Sequence, residues 1–171
     1  MGDGEKLGGG QMDGFHSNSG ATPFLGGATP SGGRLWKIHH IGAAVRDLQK
    51  AVETYRDLFG YALDSGPFVD EVQGVEVCLL RLGSSPQIML ELVSPIGTPS
   101  PIDTILKKRN TAYHVCYEVD DIGSVISEFR RKGCIMVAEP VPAAAFGGRR
   151  IAWLYTPTNQ LVEILERQNG E

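Results

Sequence analysis

The strongest constraint on this chain is that it states one pattern twice. Residues 40–48 read HIGAAVRDL and residues 114–122 read HVCYEVDDI. In each, a histidine opens a short apolar run. A valine follows five residues on (Val45, Val119), an aspartate seven on (Asp47, Asp121), and an aliphatic residue comes next (Leu48, Ile122). An internal repeat outranks an isolated motif as a guide to architecture, because each copy is one supersecondary unit that needs the other to complete its core.

The repeat extends well beyond nine residues. LWKIHHIGAAV, from Leu35, predicts a buried strand. Asp47 is a good N-cap for a helix in which Leu48, Ala51, Val52, Tyr55, Leu58 and Phe59 recur at helical spacing, and Gly60 stands where a left-handed C-cap belongs. PFVDEV, GVEVCLLRLG and PQIMLELVSP predict three strands, and Ser100-Pro101 opens a short helix, PIDTILKKR, with proline at the tolerated first position. The second half repeats the plan. AYHVCYEV is a strand, and Asp120 or Asp121 caps a helix bearing Ile122, Val125, Ile126 and Phe129. Gly133 ends that helix, and strands CIMVAE, RRIAWLYT and QLVEILE follow. The order is β-α-β-β-β, a linker helix, then β-α-β-β-β. It predicts an α+β fold of two pseudo-symmetric modules, about residues 35–98 and 110–168, each an open sheet with its helix on the outer face.

Residues 1–34 stand apart. They hold half of the chain's 22 glycines among Ser, Thr, Pro and Asn. Such a segment buries too little apolar surface to offset its chain entropy, so it is expected to be a disordered tail, with His16 inert within it. The formal charge of −4 gives no general attraction to nucleic acid or anionic membrane. Three scattered cysteines make no disulfide framework, and no long apolar span is visible, so a reducing, cytoplasmic setting is expected.

Two acids complete the repeat. Glu91 lies in the last strand of the first copy, 51 residues after His40, and Glu163 in the last strand of the second, 49 after His114. Both sit in otherwise apolar strands, where an unpaired charge costs several kcal/mol, roughly, if nothing compensates it. One divalent cation shared by two imidazoles and two carboxylates would hold them there, with water completing an octahedral N/O site. Hard and borderline ligands of this kind suit Co, Ni, Mn, Zn or Fe. Strand alternation turns His114 and Cys116 to one face and Val115, Tyr117 and Val119 toward the helix. The same rule turns His39 to the face opposite His40, as a packing residue. Cys116 is expected to be a buried structural thiol.

With His40, Glu91, His114 and Glu163 at matched repeat positions, the chain resembles the vicinal oxygen chelate superfamily (glyoxalase, bleomycin resistance, dioxygenase) over residues 36–166. HIGAAVRDL, VQGVEV, SPIDTILKKRNTAYHVCYEVDDI and GGRRIAWLYTP are most similar to its methylmalonyl-CoA epimerase family. The resemblance implies paired βαβββ modules forming an open mixed-sheet cup around one divalent metal. It further implies an isomerase or epimerase that moves a proton alpha to a carbonyl of a small-molecule substrate, an acyl-thioester, with the cation stabilising the enolate. Glu163 is then ligand and base, Glu91 ligand and opposite-face acid, and the histidines are ligands only. A glyoxalase I-type lactoylglutathione lyase would use the same four ligands. A drug-sequestering protein of the bleomycin-resistance type would not need them.

The loop PAAAFGGRR is the other functional candidate. Gly147 and Gly148 give it backbone freedom to close over substrate, and Arg149 is the expected anion contact, with Arg150 read as solvated. Open sheets with exposed edges favour a homodimer.

Overall fold

The repeat becomes two halves of one sheet. In a computed structural model of the chain, the described residues are 36–84, 88–109 and 111–168. The expected tail, residues 1–34, lies outside them, as do the first two residues of the predicted strand PQIMLELVSP. The first module runs β1 (Lys37–Ala44), α1 (Leu48–Phe59), β2 (Tyr61–Asp70), β3 (Val75–Leu82) and β4 (Met89–Pro95). After α2 (Asp103–Lys108), the second runs β5 (Ala112–Val119), α3 (Ile122–Arg131), β6 (Ile135–Pro142), a 3-10 turn (Ala144–Phe146), β7 (Arg150–Tyr155) and β8 (Leu161–Glu166).

The eight strands form one mixed sheet in the order β2-β3-β4-β1-β5-β8-β7-β6. In each module the strand before the helix pairs in parallel with the last strand, β1 with β4 and β5 with β8, and every other contact is antiparallel. The halves join where β1 meets β5.

The caps read from the sequence are present. Asp47 accepts from the Lys50 N–H at 2.9 Å, and Asp121, rather than Asp120, accepts from the Ser124 N–H at 3.1 Å. Gly60 is left-handed, with φ 76°, and donates its N–H to Arg56 and Tyr55 carbonyls. Each helix buries one stripe against the outer face of its half-sheet. Leu48 of α1 packs with Ala43, Cys78, Leu80 and Leu92, and Ile122, Val125 and Ile126 of α3 pack with Ala152, Leu154, Val162 and Ile164. Each such aliphatic side chain contributes about 1.5–3 kcal/mol on leaving water.

Several boundaries differ from expectation, β6 among them, which runs on to Pro142 where CIMVAE ended at Glu139. β2 begins at Tyr61, not Pro67, because pairing with β3 carries the strand through Asp64-Ser65-Gly66, with register shifts on either side of Ser65. Helix α2 begins at Asp103, not Pro101, because Ser100 and Asp103 bond reciprocally (Ser100 N–H to Asp103 Oδ2, 3.0 Å; Asp103 N–H to Ser100 O, 3.1 Å) and leave Pro101 in the preceding turn.

Candidate metal centre

Two parallel strand pairs build the site. His40 on β1 lies one strand from Glu91 on β4, and His114 on β5 lies one strand from Glu163 on β8. Antiparallel pairing of β1 with β5 sets His40 opposite Cys116 and Gly42 opposite His114, so the two imidazoles meet diagonally across the seam. Their Nε2 atoms stand 3.1 Å apart. Oε2 of Glu163 is 2.9 Å from His40 Nε2 and 3.5 Å from His114 Nε2, and Oε2 of Glu91 is 3.4 Å and 3.3 Å from the same two atoms. All four residues are buried, His40 completely and Glu163 to 2% exposure. The structure thus brings together the four residues singled out from the repeat, two from each module.

The donor set fits a divalent cation. Atoms about 2.1 Å from one ion stand about 3.0–3.4 Å from one another, the spacing these donors show. Glu163 Oε2 has no hydrogen bond of acceptable geometry despite its imidazole neighbours, and neither has His114 Nδ1. A buried carboxylate oxygen without a donor is what a cation would satisfy.

Electrostatics bind the cluster together without one. Burial alone pushes Glu91 up, but His40 and His114 outweigh it and hold its carboxyl below the usual carboxylate range. The same contest, won by His114 and His40, lowers Glu163. Burial pulls His40 down, yet the Glu91 carboxylate and the other acidic partners leave it well above its ordinary value. His114 is raised against burial by Glu163 and Glu91. Without a metal, the carboxylates thus favour a proton on the imidazoles, and the imidazoles favour ionised carboxylates.

His39 is not where alternation puts it. A β-bulge between Ile38 and His40 breaks the register with β5 and turns the His39 ring inward, so that its Nδ1 lies 2.9 Å from His40 Nδ1. Burial, then the His40 and Arg149 charges, lower His39 to a pKa of about 4. Its counterpart in the second module, Tyr113, sits at a bulge of the same kind and packs edge-on to His114, ring centroids 4.4 Å apart. Cys116 is buried as expected, and burial followed by Glu163 raises its thiol.

Several further residues enclose the centre, and the sequence singled out only the segments that carry them, not the residues themselves. Phe146 of the 3-10 turn stacks on His40 at 5.4 Å and 17°. Trp153, directly opposite Glu163 in the β7–β8 ladder, meets His114 edge-on at 4.7 Å. Trp153 Nε1 donates to Gln73 Oε1 (3.0 Å). The Gln73 side chain and backbone N–H in turn donate to the buried Asp70 (3.0 and 2.9 Å). The β2–β3 turn of one module is thereby clamped to β7 of the other. The signal for Trp153 lay in the repeat, since it occupies the place that Leu79, opposite Glu91, holds in the first copy.

The loop residues divide. Arg150 makes an exposed bidentate ion pair with Glu166 (2.8 and 2.6 Å), the solvated role expected of it. Arg149 turns inward, donating to the buried Glu118 at 2.8 Å and facing His39 Nε2 at 3.5 Å, with its guanidinium 5.7 Å from the centre of the Phe146 ring. Gly147 and Gly148, at φ 64° and 81°, form the exposed turn between Phe146 and Arg149.

The fold agrees with the comparisons. Residues 39–153 match the Glyoxalase/Bleomycin resistance protein/Dioxygenase superfamily, and the chain belongs to that superfamily. Its relatives there are methylmalonyl-CoA epimerases. The mitochondrial enzyme of Bos taurus is 32% identical over 123 residues, covering 69% of this chain and 68% of that protein. The mitochondrial enzyme of Mus musculus is 32% identical over 116 residues, 67% of this chain, and the match spans 63% of that protein's own length. Among solved structures, methylmalonyl-CoA epimerase from Mycobacterium tuberculosis superposes with a TM-score of 0.67 at 26% identity, covering 77% of this chain and 88% of that one. A methylmalonyl-CoA epimerase in complex with methylmalonyl-CoA and ammonium superposes with a TM-score of 0.69 at 26% identity, covering 80% and 98%.

Proposed function

We propose that this chain is a divalent-metal-dependent epimerase of an acyl-coenzyme A thioester, related in activity to the methylmalonyl-CoA epimerases. The observation that carries the reading is the convergence of four buried donor atoms from equivalent positions of two modules, in a chain whose relatives bear that name. His40, Glu91, His114 and Glu163 would hold a divalent cation, which would supply Lewis-acid stabilisation of negative charge developing on the substrate.

The chain's own residues do the rest. Glu163, once released from the cation, takes the proton from the carbon alpha to the thioester carbonyl, and Glu91, carried by the other module and protonated from solvent, returns one to the opposite face. Phe146, Trp153 and Tyr113 exclude bulk water from the reacting carbon, which strengthens every charge interaction there. Gly147, Gly148 and Arg149 belong to the loop that meets the substrate, with the two glycines giving the freedom to move Phe146 aside.

Exchange with solvent tests the reading directly. Incubated in D2O with Co²⁺ and either epimer of methylmalonyl-CoA, the protein should place deuterium on the alpha carbon and interconvert the epimers. No exchange by protein shown to carry metal would overturn it. The same two glutamates suit a glyoxalase-type lyase, and turnover of a glutathione hemithioacetal in place of exchange would assign that reaction instead.

Residues 35–168 are the proposed catalytic unit. A homodimer is the proposed assembly, since β2 and β6 end the sheet as open edges. The cytoplasm is the proposed compartment. No described helix is long and apolar enough to cross a membrane, and the mammalian relatives are named as mitochondrial.

A further inference from the structure

The two halves of the centre are not supported alike, and the difference concerns the outward nitrogens of the two histidines. For His40 to offer its Nε2 lone pair to a cation, its ring proton must sit on Nδ1, where it needs an acceptor. Nδ1 of His39 stands 2.9 Å away. The backbone places it there deliberately, in the sense that only the bulge at His39 allows two consecutive strand residues to face the same way. The His39 ring is then fixed on its other sides. Phe146 meets it edge-on at 5.3 Å, and the Arg149 guanidinium, anchored at 2.8 Å on the buried Glu118, stands 3.5 Å from its far nitrogen, beyond the usual hydrogen-bond range, so that Nε2 keeps the ring proton and Nδ1 stays an acceptor. Cys116 shares the corner, all three donor atoms lying within 4.8 Å of one another, but a thiol is a weak acceptor beside an imidazole nitrogen.

At the pseudo-equivalent place in the second module the support is missing. Tyr113 occupies the position of His39, and Nδ1 of His114 is buried without a hydrogen-bond partner. We infer that His39 is a positioning residue that fixes the tautomer and ring orientation of His40, making the first module the anchoring half of the centre and leaving His114 as the ligand whose outward nitrogen has no partner. This rests on the metal reading given above.

The test is Co²⁺ affinity, measured against a competing chelator, together with the visible absorption of the bound Co²⁺. Three variants are compared with the unaltered protein: His39→Phe and His39→Leu, which remove the acceptor, and His39→Asn, whose side-chain oxygen can stand near the place of Nδ1. The acceptor-free variants should bind about 10–100-fold more weakly, the range seen when a partner of a ligating histidine is lost. Their Co²⁺ bands should be displaced, and His39→Asn should recover most of the affinity and the original spectrum. Should His39→Phe fail to fold, the comparison of Asn with Leu carries the test alone. Equal affinity and unchanged bands in an acceptor-free variant, or an Asn variant as weak as Leu, would overturn the inference while leaving the metal centre intact. Unaltered protein that takes up no Co²⁺ would overturn the metal reading, and this inference with it.

Discussion

Gly42 lies directly beneath the ring of His114. The two are partners across the β1–β5 seam, and a Cβ built on Gly42 would fall 1.7 Å from Cε1 of that imidazole. Its partner is held in the core, so the ring cannot simply swing into solvent. Gly42→Ala should therefore displace His114 from the centre. We expect at least about 1–3 kcal/mol of destabilisation from overpacking, read as a lowered melting temperature. Metal content after dialysis should fall with it.

Metal-free protein should show an unusual dependence of stability on pH. Glu91 and Glu163 are lowered in the folded state, so their contribution is present above the ordinary carboxylate value of about 4 and is lost as pH falls further. His40 and His114 are raised, so theirs is complete below about 6.5 and is lost as pH climbs through their folded values. Melting in the presence of a chelator should peak between those limits. Added Co²⁺ should reverse the upper slope, since metal displaces the imidazole protons and binds better as pH rises. A chelator-treated melting temperature that climbs steadily from pH 6 to 9 would contradict this account.

The two glutamates should separate by what each abolishes. Glu163→Gln keeps a ligating oxygen but loses the base, so deuterium exchange into the epimer whose proton Glu163 removes should drop about 10²–10⁴-fold at near-normal metal content, while exchange into the other epimer, through Glu91, is retained. Glu91→Gln should stop interconversion of the epimers yet retain exchange into the one whose proton Glu163 removes. Proton NMR of each epimer in D2O distinguishes the two patterns.

The inter-module clamp is testable away from the metal. Gln73→Met leaves Asp70 without its side-chain donor and Trp153 Nε1 without an acceptor. The expected cost is about 1–3 kcal/mol for the unpaired buried groups. In a Trp36→Phe background the fluorescence of Trp153 should shift, because its indole loses its fixed neighbour. Unchanged emission and unchanged denaturant midpoint would mean that the clamp holds nothing.

Much of this was legible in the chain because it depends on periodicity. The four converging residues were found from residue spacing between two copies, and the helix caps Asp47 and Gly60 from short-range chemistry, which left Asp120 and Asp121 as alternatives for the second helix. What escaped depends on partners distant in sequence. The bulges at His39 and Tyr113 exist only in the register between β1 and β5, and no local signal in HH or YH announces them. The first half of β2 looks like a turn until β3 pairs with it. Likewise Phe146 and Trp153 read as ordinary apolar residues, and only closure of the cup brings them against His40 and His114.

One consequence follows from where the modules begin and end. Lys37, the first residue of β1, pairs with Glu118, and Glu166, the last of β8, pairs with the adjacent Val119, so both flank the same end of β5. Lys37 and Arg167 even reach the same Glu118 oxygen, at 4.0 and 3.8 Å. Two strand spacings separate those backbones, about 10 Å, which a few residues can bridge. A circular permutant joined there and opened in the connection between β4 and β5 would start with the second copy and finish with the first, around an unaltered centre. Which half comes first is thus an accident of where the polypeptide is cut.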